Sequence, residues 1–144
     1  MRRMNHDEII EFIKYYTWGT LIGVEPGGTP YAVELSYGFD GTSIYCGSRP
    51  GGRMARCIMG SRNVAFKICE SDRSYGSYTA VIVEGAAERL TGRDEILASV
   101  RSIARQRGLN ERAFDSVVDH VAGNPHSNSL RIPVRTVSGV TTRR

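Results

Sequence analysis

The chain has 144 residues, which is enough for one domain with a sizeable hydrophobic core, and we predict a single domain over 1–144. Hydrophobic residues make up 40% and charged residues 24%, a composition typical of a globular rather than a disordered protein. The formal net charge is +4, but the basic residues are dispersed and form no stripe on one element, so we expect no nucleic-acid partner.

The cysteines and the hydropathy pattern bear on the compartment. Cys46, Cys57 and Cys69 form no C-x-x-C pair, and the three histidines show no established metal spacing, so we predict no metal site. The number of cysteines is odd, the first 14 residues are polar and charged, and no apolar run approaches the ~18 residues that span a bilayer. We therefore expect a reducing, cytoplasmic location and no membrane partner.

The first third of the chain predicts one helix and three strands. Apolar residues at helical spacing predict a short amphipathic helix over 7–16. Alternating apolar and polar residues then predict strands at 17–24, 31–37 and 42–48. Asp40 and Gly41 between the last two strands are typical of a tight hairpin.

The rest of the chain mixes strands and helices. The pattern predicts a two-turn helix over 52–59, a strand over 63–70 and a polar loop over 71–76. A long strand over 78–90 should bend near Gly85, because glycine inside a strand often marks a bulge or barrel corner. The remaining predictions are a helix ending at Gly108, a second helix after Asn110 that Gly123 and Pro125 stop, and a last strand over 130–137.

The order of these elements predicts the fold class. Runs of strands with the helices set apart indicate an α+β fold rather than a doubly wound sheet. Six antiparallel strands can close into a small barrel whose interior is filled by side chains. A cofactor would therefore bind outside the barrel, on its wall or at a boundary between subunits.

The segment 48–53 is the strongest candidate for a binding site. It reads Ser-Arg-Pro-Gly-Gly-Arg and lies between a predicted hairpin and a predicted helix. Backbone N–H groups of such a loop, the N-terminus of the helix and a guanidinium group together favour a phosphate. Pro-Gly-Gly is also an ordinary turn sequence, so the loop alone does not decide between the two interpretations.

Several segments together resemble the FMN-binding split-barrel family, which includes pyridoxamine 5′-phosphate oxidases and nitroimidazole-resistance (Nim-like) proteins. The run 28–41, GTPYAVELSYGFDG, resembles the first hairpin of that family. Similarity in order and spacing continues through 44–48, Gly52-Arg53, 63–66 and the closing segment 130–134. The resemblance covers nearly the whole chain and implies a six-stranded antiparallel split β-barrel with peripheral helices.

The same resemblance implies a cofactor, a partner and a set of site residues. Family members are usually homodimers that hold two FMN molecules between the subunits. The implied phosphate site contains Ser48, Gly52, Arg53 and the adjacent position, Met54. The isoalloxazine ring is expected along Val33, Glu34 and Leu35, and Tyr78 is expected near the flavin of the partner subunit.

Two departures from the Nim-like pattern affect what can be inferred. Relatives often have a second cation directly after Arg53, where this chain has Met54, so Arg49, Arg56 and Lys67 are candidates to replace it. Many relatives also have a histidine before the loop serine, where this chain has Gly47. The catalytic residues therefore stay unassigned.

Two functions remain open on the sequence. The first is an FMN-dependent oxidoreductase that acts on a small molecule by hydride or electron transfer, with the chemistry carried by the flavin. The alternative is a flavin- or haem-binding module, a carrier or a sensor, without turnover of its own. The fold alone cannot separate them, because function depends on the site.

Overall fold

A single antiparallel sheet dominates the computed structural model, which describes residues 1–74 and 76–144. Tyr75, inside the polar loop predicted over 71–76, lies outside the described residues. The strands are β1 (Arg2–Arg3), β2 (Trp18–Val24), β3 (Pro30–Phe39), β4 (Ser43–Ser48), β5 (Asn63–Ser71), β6 (Tyr78–Ala86), β7 (Glu88–Arg89), β8 (Asn128–Pro133) and β9 (Thr136–Thr141). Their order in the sheet is β1-β9-β6-β5-β2-β3-β4-β8-β7.

Four α-helices lie around the sheet in the described part of the chain. They are α1 (His6–Tyr15), α2 (Arg53–Gly60), α3 (Arg93–Gln106) and α4 (Val118–Ala122). The first three agree closely with the predicted helices. The fourth is much shorter than the helix predicted after Asn110, because the chain forms turns and a short 3-10 helix at Asp115–Val117 before α4 begins.

The α+β class and the antiparallel sheet are confirmed, but the prediction of six strands is wrong, since the described chain has nine. The extra strands have simple origins. The predicted strand over 78–90 is two strands, β6 and β7, and the predicted strand over 130–137 is also two, β8 and β9. The third addition is β1, two residues that pair with β9.

Both divided strands turn a corner that curls the sheet into a half-barrel. β6 pairs with β5 and β9, and the chain then continues into β7, which pairs with β8. β6 and β8, which are not neighbours in the sheet, approach each other at Gly85, where a Cβ atom would lie 2.4 Å from the carbonyl oxygen of Pro133. Only glycine permits this approach, so the predicted bend near Gly85 is confirmed and has a steric reason.

The half-barrel encloses the main hydrophobic core. Leu21, Phe66, Val81 and Ile132 lie fully buried inside it, and α1 covers one end. The buried Tyr37 hydroxyl donates to the carbonyl oxygen of Ile13 at 2.5 Å, which ties β3 to that helix. Burial raises the pKa of Tyr37, so the hydroxyl remains a donor.

A second, smaller cluster lies outside the half-barrel. Tyr45 on the outer face of β4 packs with Leu90, Ile96 and Val118, so α3 and α4 cover that part of the sheet. This packing leaves a cavity between the helices and the sheet at the end of β4. Among the described residues, none of the helices is both long and apolar enough to cross a membrane.

Candidate phosphate loop and strand edge

The loop 49–52 joins β4 to α2 and is held by backbone hydrogen bonds, one within the loop and one to His126. Gly51 adopts a φ of +63°, and its N–H donates to the carbonyl oxygen of His126 at 2.9 Å. The Gly52 N–H donates to the carbonyl oxygen of Arg49 at 3.1 Å. Gly52 is the N-cap of α2 and provides no side-chain cap. The first N–H groups of α2, at Arg53, Met54 and Ala55, are therefore the donors that this loop presents to an anion.

Arg53 lies at the surface beside two residues of the neighbouring hairpin. Its Nε donates to a carboxylate oxygen of Glu25, and its guanidinium carbon lies 4.4 Å from the centre of the Tyr31 ring. The hydrogen bond from Arg53 lowers the pKa of the Glu25 carboxyl group. Both side chains remain partly exposed. An incoming phosphate would meet a guanidinium that already has a carboxylate partner.

Met54, the next residue, points in the opposite direction. Its side chain is only 3% exposed and belongs to the barrel core. A Cβ atom on Gly23 would lie 3.3 Å from the Met54 sulfur, so the thioether packs closely on β2. Within the predicted phosphate site, Met54 can thus offer its backbone N–H, while its side chain serves the core.

The predicted ring-binding residues lie on a partly open strand edge. β3 pairs with β2 from Pro30 to Ser36, but it pairs with β4 only from Tyr37 to Phe39. In an antiparallel strand, every second residue points its backbone N–H and C=O toward one neighbouring strand, and the residues between them point these groups to the opposite side. Backbone groups between Val33 and Leu35 therefore face away from β2 without a β4 partner, and α2 packs against this part of the sheet. Glu34 is exposed on the outer face, where it accepts a hydrogen bond from Thr20 Oγ1 at 2.8 Å.

Ser48 ends β4 directly before the loop. It lies opposite Asn128 on β8, whose side-chain amide donates to the Ser48 hydroxyl. Asn128 is 3% exposed. No local sequence pattern predicts this contact, because it joins residues 80 positions apart and depends on the pairing of β4 with β8. Glu25 was missed for a similar reason: it reads as part of a turn until the hairpin places it beside Arg53.

Tyr78 lies at the other end of the sheet from the loop. It pairs with Ser71 at the start of β6. Glu84, near the end of β6, pairs with Ala65 on β5. Ala65 pairs with Ile22 on β2, which pairs with Ala32 on β3, so Glu84 and Ala32 lie in the same row across the sheet. Six residues of strand separate Tyr78 from Glu84, or about 20 Å. The structure therefore brings Ser48, Gly52, Arg53 and the open edge of β3 into one region, and leaves Tyr78 outside that region of the same subunit.

The arrangement suits a ligand that has both an anionic and a planar polar part. The N-terminus of α2, Arg53 and the Ser48 hydroxyl can hold a phosphate. The open edge of β3 can form hydrogen bonds with a heterocycle. Of the candidate cations, Arg56 lies one turn further along the exposed face of α2, and Lys67 lies on β5 opposite Thr20.

Comparisons with known proteins show the family and the fold of the chain. The sequence profile of the family named pyridoxamine 5′-phosphate oxidase matches residues 5–141. No curated protein matches the chain.

Solved structures show the same fold. A conserved hypothetical protein from Mycobacterium tuberculosis is 23% identical, with a TM-score of 0.76 over 94% of this chain and 84% of that one. A proposed 5-nitroimidazole antibiotic resistance protein from Bacteroides thetaiotaomicron is 17% identical, with a TM-score of 0.77 over 96% of this chain and 86% of that one. An FAD-binding protein from Mesorhizobium loti is 20% identical, with a TM-score of 0.70 over 99% of this chain and 98% of that one.

Proposed function

The chain belongs to the pyridoxamine 5′-phosphate oxidase family, and from this premise we propose that it is a flavoprotein that binds FMN and transfers a hydride or electrons to a small molecule. The observation that carries the proposal is the open edge of β3 beside the uncapped start of α2. A flavin mononucleotide has a phosphate at one end and a polar heterocycle at the other, so it matches both features.

Each group of the predicted site has a role in this proposal. The Ser48 hydroxyl, the first N–H groups of α2 and the Arg53 guanidinium hold the phosphate, and Gly52 lets the loop close tightly, since a Cβ atom there would lie 3.1 Å from the carbonyl oxygen of Arg49. Backbone groups between Val33 and Leu35 bind the polar edge of the ring. The flavin, once bound, supplies the redox chemistry, while the chain supplies binding and orientation.

We propose further that the working unit is a homodimer. Tyr78 can contribute to a flavin site only if a second copy brings it there, because it lies far along the sheet from the loop of its own subunit. The outer face of the sheet also exposes large apolar side chains, Trp18 at 57% and Ile82 at 38%. A self-complementary patch of this kind closes with two copies. A sedimentation experiment that finds the FMN-loaded protein as a monomer would contradict this part of the proposal.

The flavin proposal is tested by comparing FMN with riboflavin, which lacks the phosphate. The protein loaded with FMN should retain flavin absorbance through gel filtration, and riboflavin should bind at least about tenfold more weakly, since it loses the charge-assisted contacts. Failure of micromolar FMN to bind would overturn the proposal. Equal affinity for the two ligands would show that segment 48–53 does not hold the phosphate.

A second measurement separates an oxidoreductase from a passive flavin module. NADH or NADPH is added anaerobically to the FMN-loaded protein, and the flavin absorbance is followed. Bleaching faster than that of free FMN supports an oxidoreductase. Bound flavin that no nicotinamide cofactor reduces favours the alternative of a carrier or sensor. The cytoplasmic location stays a prediction.

A further inference from the structure

The cavity at the end of β4 is the starting point for a second binding site. It has a volume of about 280 Å³ and lies between the outer face of the sheet and helices α3 and α4. Gly47 and Ser48 line it from the sheet, and Val100, His120 and Val121 line it from the helices. Its volume is near the lower end of the range for small-molecule pockets, which limits an occupant to roughly one ring with a substituent.

The lining is polar but carries no permanent charge. Within the described residues, no Asp, Glu, Lys or Arg lines the cavity; the polar groups there are serine hydroxyls, asparagine amides and the His120 imidazole. Burial raises the pKa of the Cys46 thiol to about 12, so this lining residue is neutral as well. Transferring a charged ligand into such surroundings is unfavourable, because no opposite charge compensates for its lost hydration.

Two of the lining residues are buried serines. Ser99 on α3 is 1% exposed and Ser127 is 5% exposed, and within residues 1–74 and 76–144 no fully buried side-chain nitrogen or oxygen lacks a hydrogen-bond partner. Buried polar groups are normally satisfied, by protein, ordered water or ligand. These hydroxyls face a cavity with apolar walls at Val100 and Ile103, which is the usual composition of a site for a small organic molecule.

The cavity adjoins both parts of the proposed flavin site. Ser48 lines the cavity and also belongs to the phosphate region. Ser36, another lining residue, follows Leu35 on β3 and accepts a hydrogen bond from Arg107 at 2.6 Å. An occupant of the cavity would therefore lie next to a flavin held along β3 and the loop.

We propose that this cavity is the substrate subsite, and that it accepts a small, uncharged aromatic molecule bearing an amide or carbonyl group. Ser99 and His120 form hydrogen bonds with that polar group, while Val100 and Ile103 contact the ring. The existence of the site rests on the cavity alone, but its role as the substrate subsite rests on the proposed function. Of its lining, the sequence pattern singled out only the segment around Gly47 and Ser48, because the walls come from β3, β4, β8, α3 and α4, which are far apart in the chain.

The test uses three probes of nearly the same shape and different charge. Benzamide is neutral, benzoate is an anion and benzamidinium is a cation. Each is titrated into the flavin-free full chain, and binding is followed by calorimetry and by chemical-shift changes. Benzamide should bind, and the two ions should bind at least about tenfold more weakly, because the lining offers them no counter-charge. Tighter binding of either ion, or binding of none of the three, would overturn the proposal and leave ordered water as the occupant.

Matched substitutions locate the binding. Ser99→Ala and His120→Ala should each weaken benzamide binding by about threefold to tenfold, the scale of one hydrogen bond. Ser102→Ala and His126→Ala are the controls: Ser102 is the next buried serine on α3, and neither residue lines this cavity. Thermal unfolding of all four variants confirms that they are folded. Equal effects in the test and control variants would contradict the assignment to this cavity.

The outcome is independent of the FMN test. If FMN binds but benzamide does not, the flavin proposal stands and the subsite is wrong. If benzamide binds and FMN does not, the cavity is a ligand site, but the flavin proposal and the role of the cavity as a substrate subsite are both wrong. If both bind, flavin fluorescence of the FMN-loaded protein should change on adding benzamide, and an absence of change would separate the cavity from the flavin.

Discussion

The two faces of α2 show how adjacent residues can have opposite roles. Arg53 lies at the surface with Glu25 and Tyr31, whereas Met54 is 3% exposed and packs on Gly23 in the core. One residue along a helix turns the side chain by about 100°, and in α2 this rotation leaves Arg53 exposed and puts Met54 in the core. We therefore expect ligand affinity to depend on the exposed face of α2 and stability to depend on its buried face.

Met54→Lys should give the largest effect, and the effect should be on stability. An ammonium group at this position would be buried without a described carboxylate in the core, so we expect a loss of about 2–5 kcal/mol in the free energy of unfolding. Urea denaturation measures it.

Met54→Leu is the control, because a hydrophobic substitution of similar volume should cost less than about 1.5 kcal/mol. If the lysine variant is as stable as the leucine variant and binds FMN more tightly, the side chain reaches the phosphate, and the contrast between the two faces is wrong.

Arg53→Ala should leave the fold intact and weaken FMN binding by about tenfold or more, since a charge-assisted contact to the phosphate is lost. Riboflavin affinity should hardly change. Fluorescence titration with both ligands measures the difference.

Arg105→Ala is the matched control for this change. Arg105 is also an exposed arginine in an exposed ion pair, with Glu111, and neither residue belongs to the proposed phosphate site. An equal loss of FMN affinity in the two variants would mean that net charge, and not a local contact, determines binding.

Glu25→Gln should have the smallest effect, in the opposite direction. The carboxylate of Glu25 competes with a phosphate for Arg53, so its neutral isostere should tighten FMN binding by about twofold to fivefold. The gain should shrink at high salt, which screens exposed charges. Titrations at two salt concentrations measure both. Weaker binding in this variant would show that Glu25 positions Arg53 for the phosphate instead of competing with it.

The local sequence predicted many elements well because local patterns determine them. Alternation from Tyr31 to Tyr37 identifies β3, and Gly51 and Gly52 identify the loop that starts α2. In the same way, the Asp40 carboxylate accepts hydrogen bonds from the N–H groups of Thr42 and Ser43 at 2.9 and 2.8 Å, as the predicted hairpin requires. These features involve residues only a few positions apart, so one segment contains all the information.

Where strands end was less predictable. The alternating pattern continues through Ala87 and through 134–135. The strands end there nevertheless: β6 gives way to β7 at Ala87, and β8 gives way to β9 at 134–135, because the chain passes from one part of the curled sheet to another. The position of the corner depends on the contact between Gly85 and Pro133, which are far apart in the sequence. Alternation reports which face a residue lies on, and it carries no information about which neighbour the strand pairs with.

Local sequence patterns were enough to predict the α+β class, the order of most elements, the resemblance to a flavin-binding family and the segment 48–53 as a candidate phosphate site. The packing of separate elements was needed to show that Met54 lies in the core, that Arg53 donates to Glu25, and that Ser99 and His120 line the same cavity. The physical reason is distance along the chain: hydrophobic periodicity and turn chemistry act over a few residues, whereas a cavity and a charge pair depend on how separate elements pack.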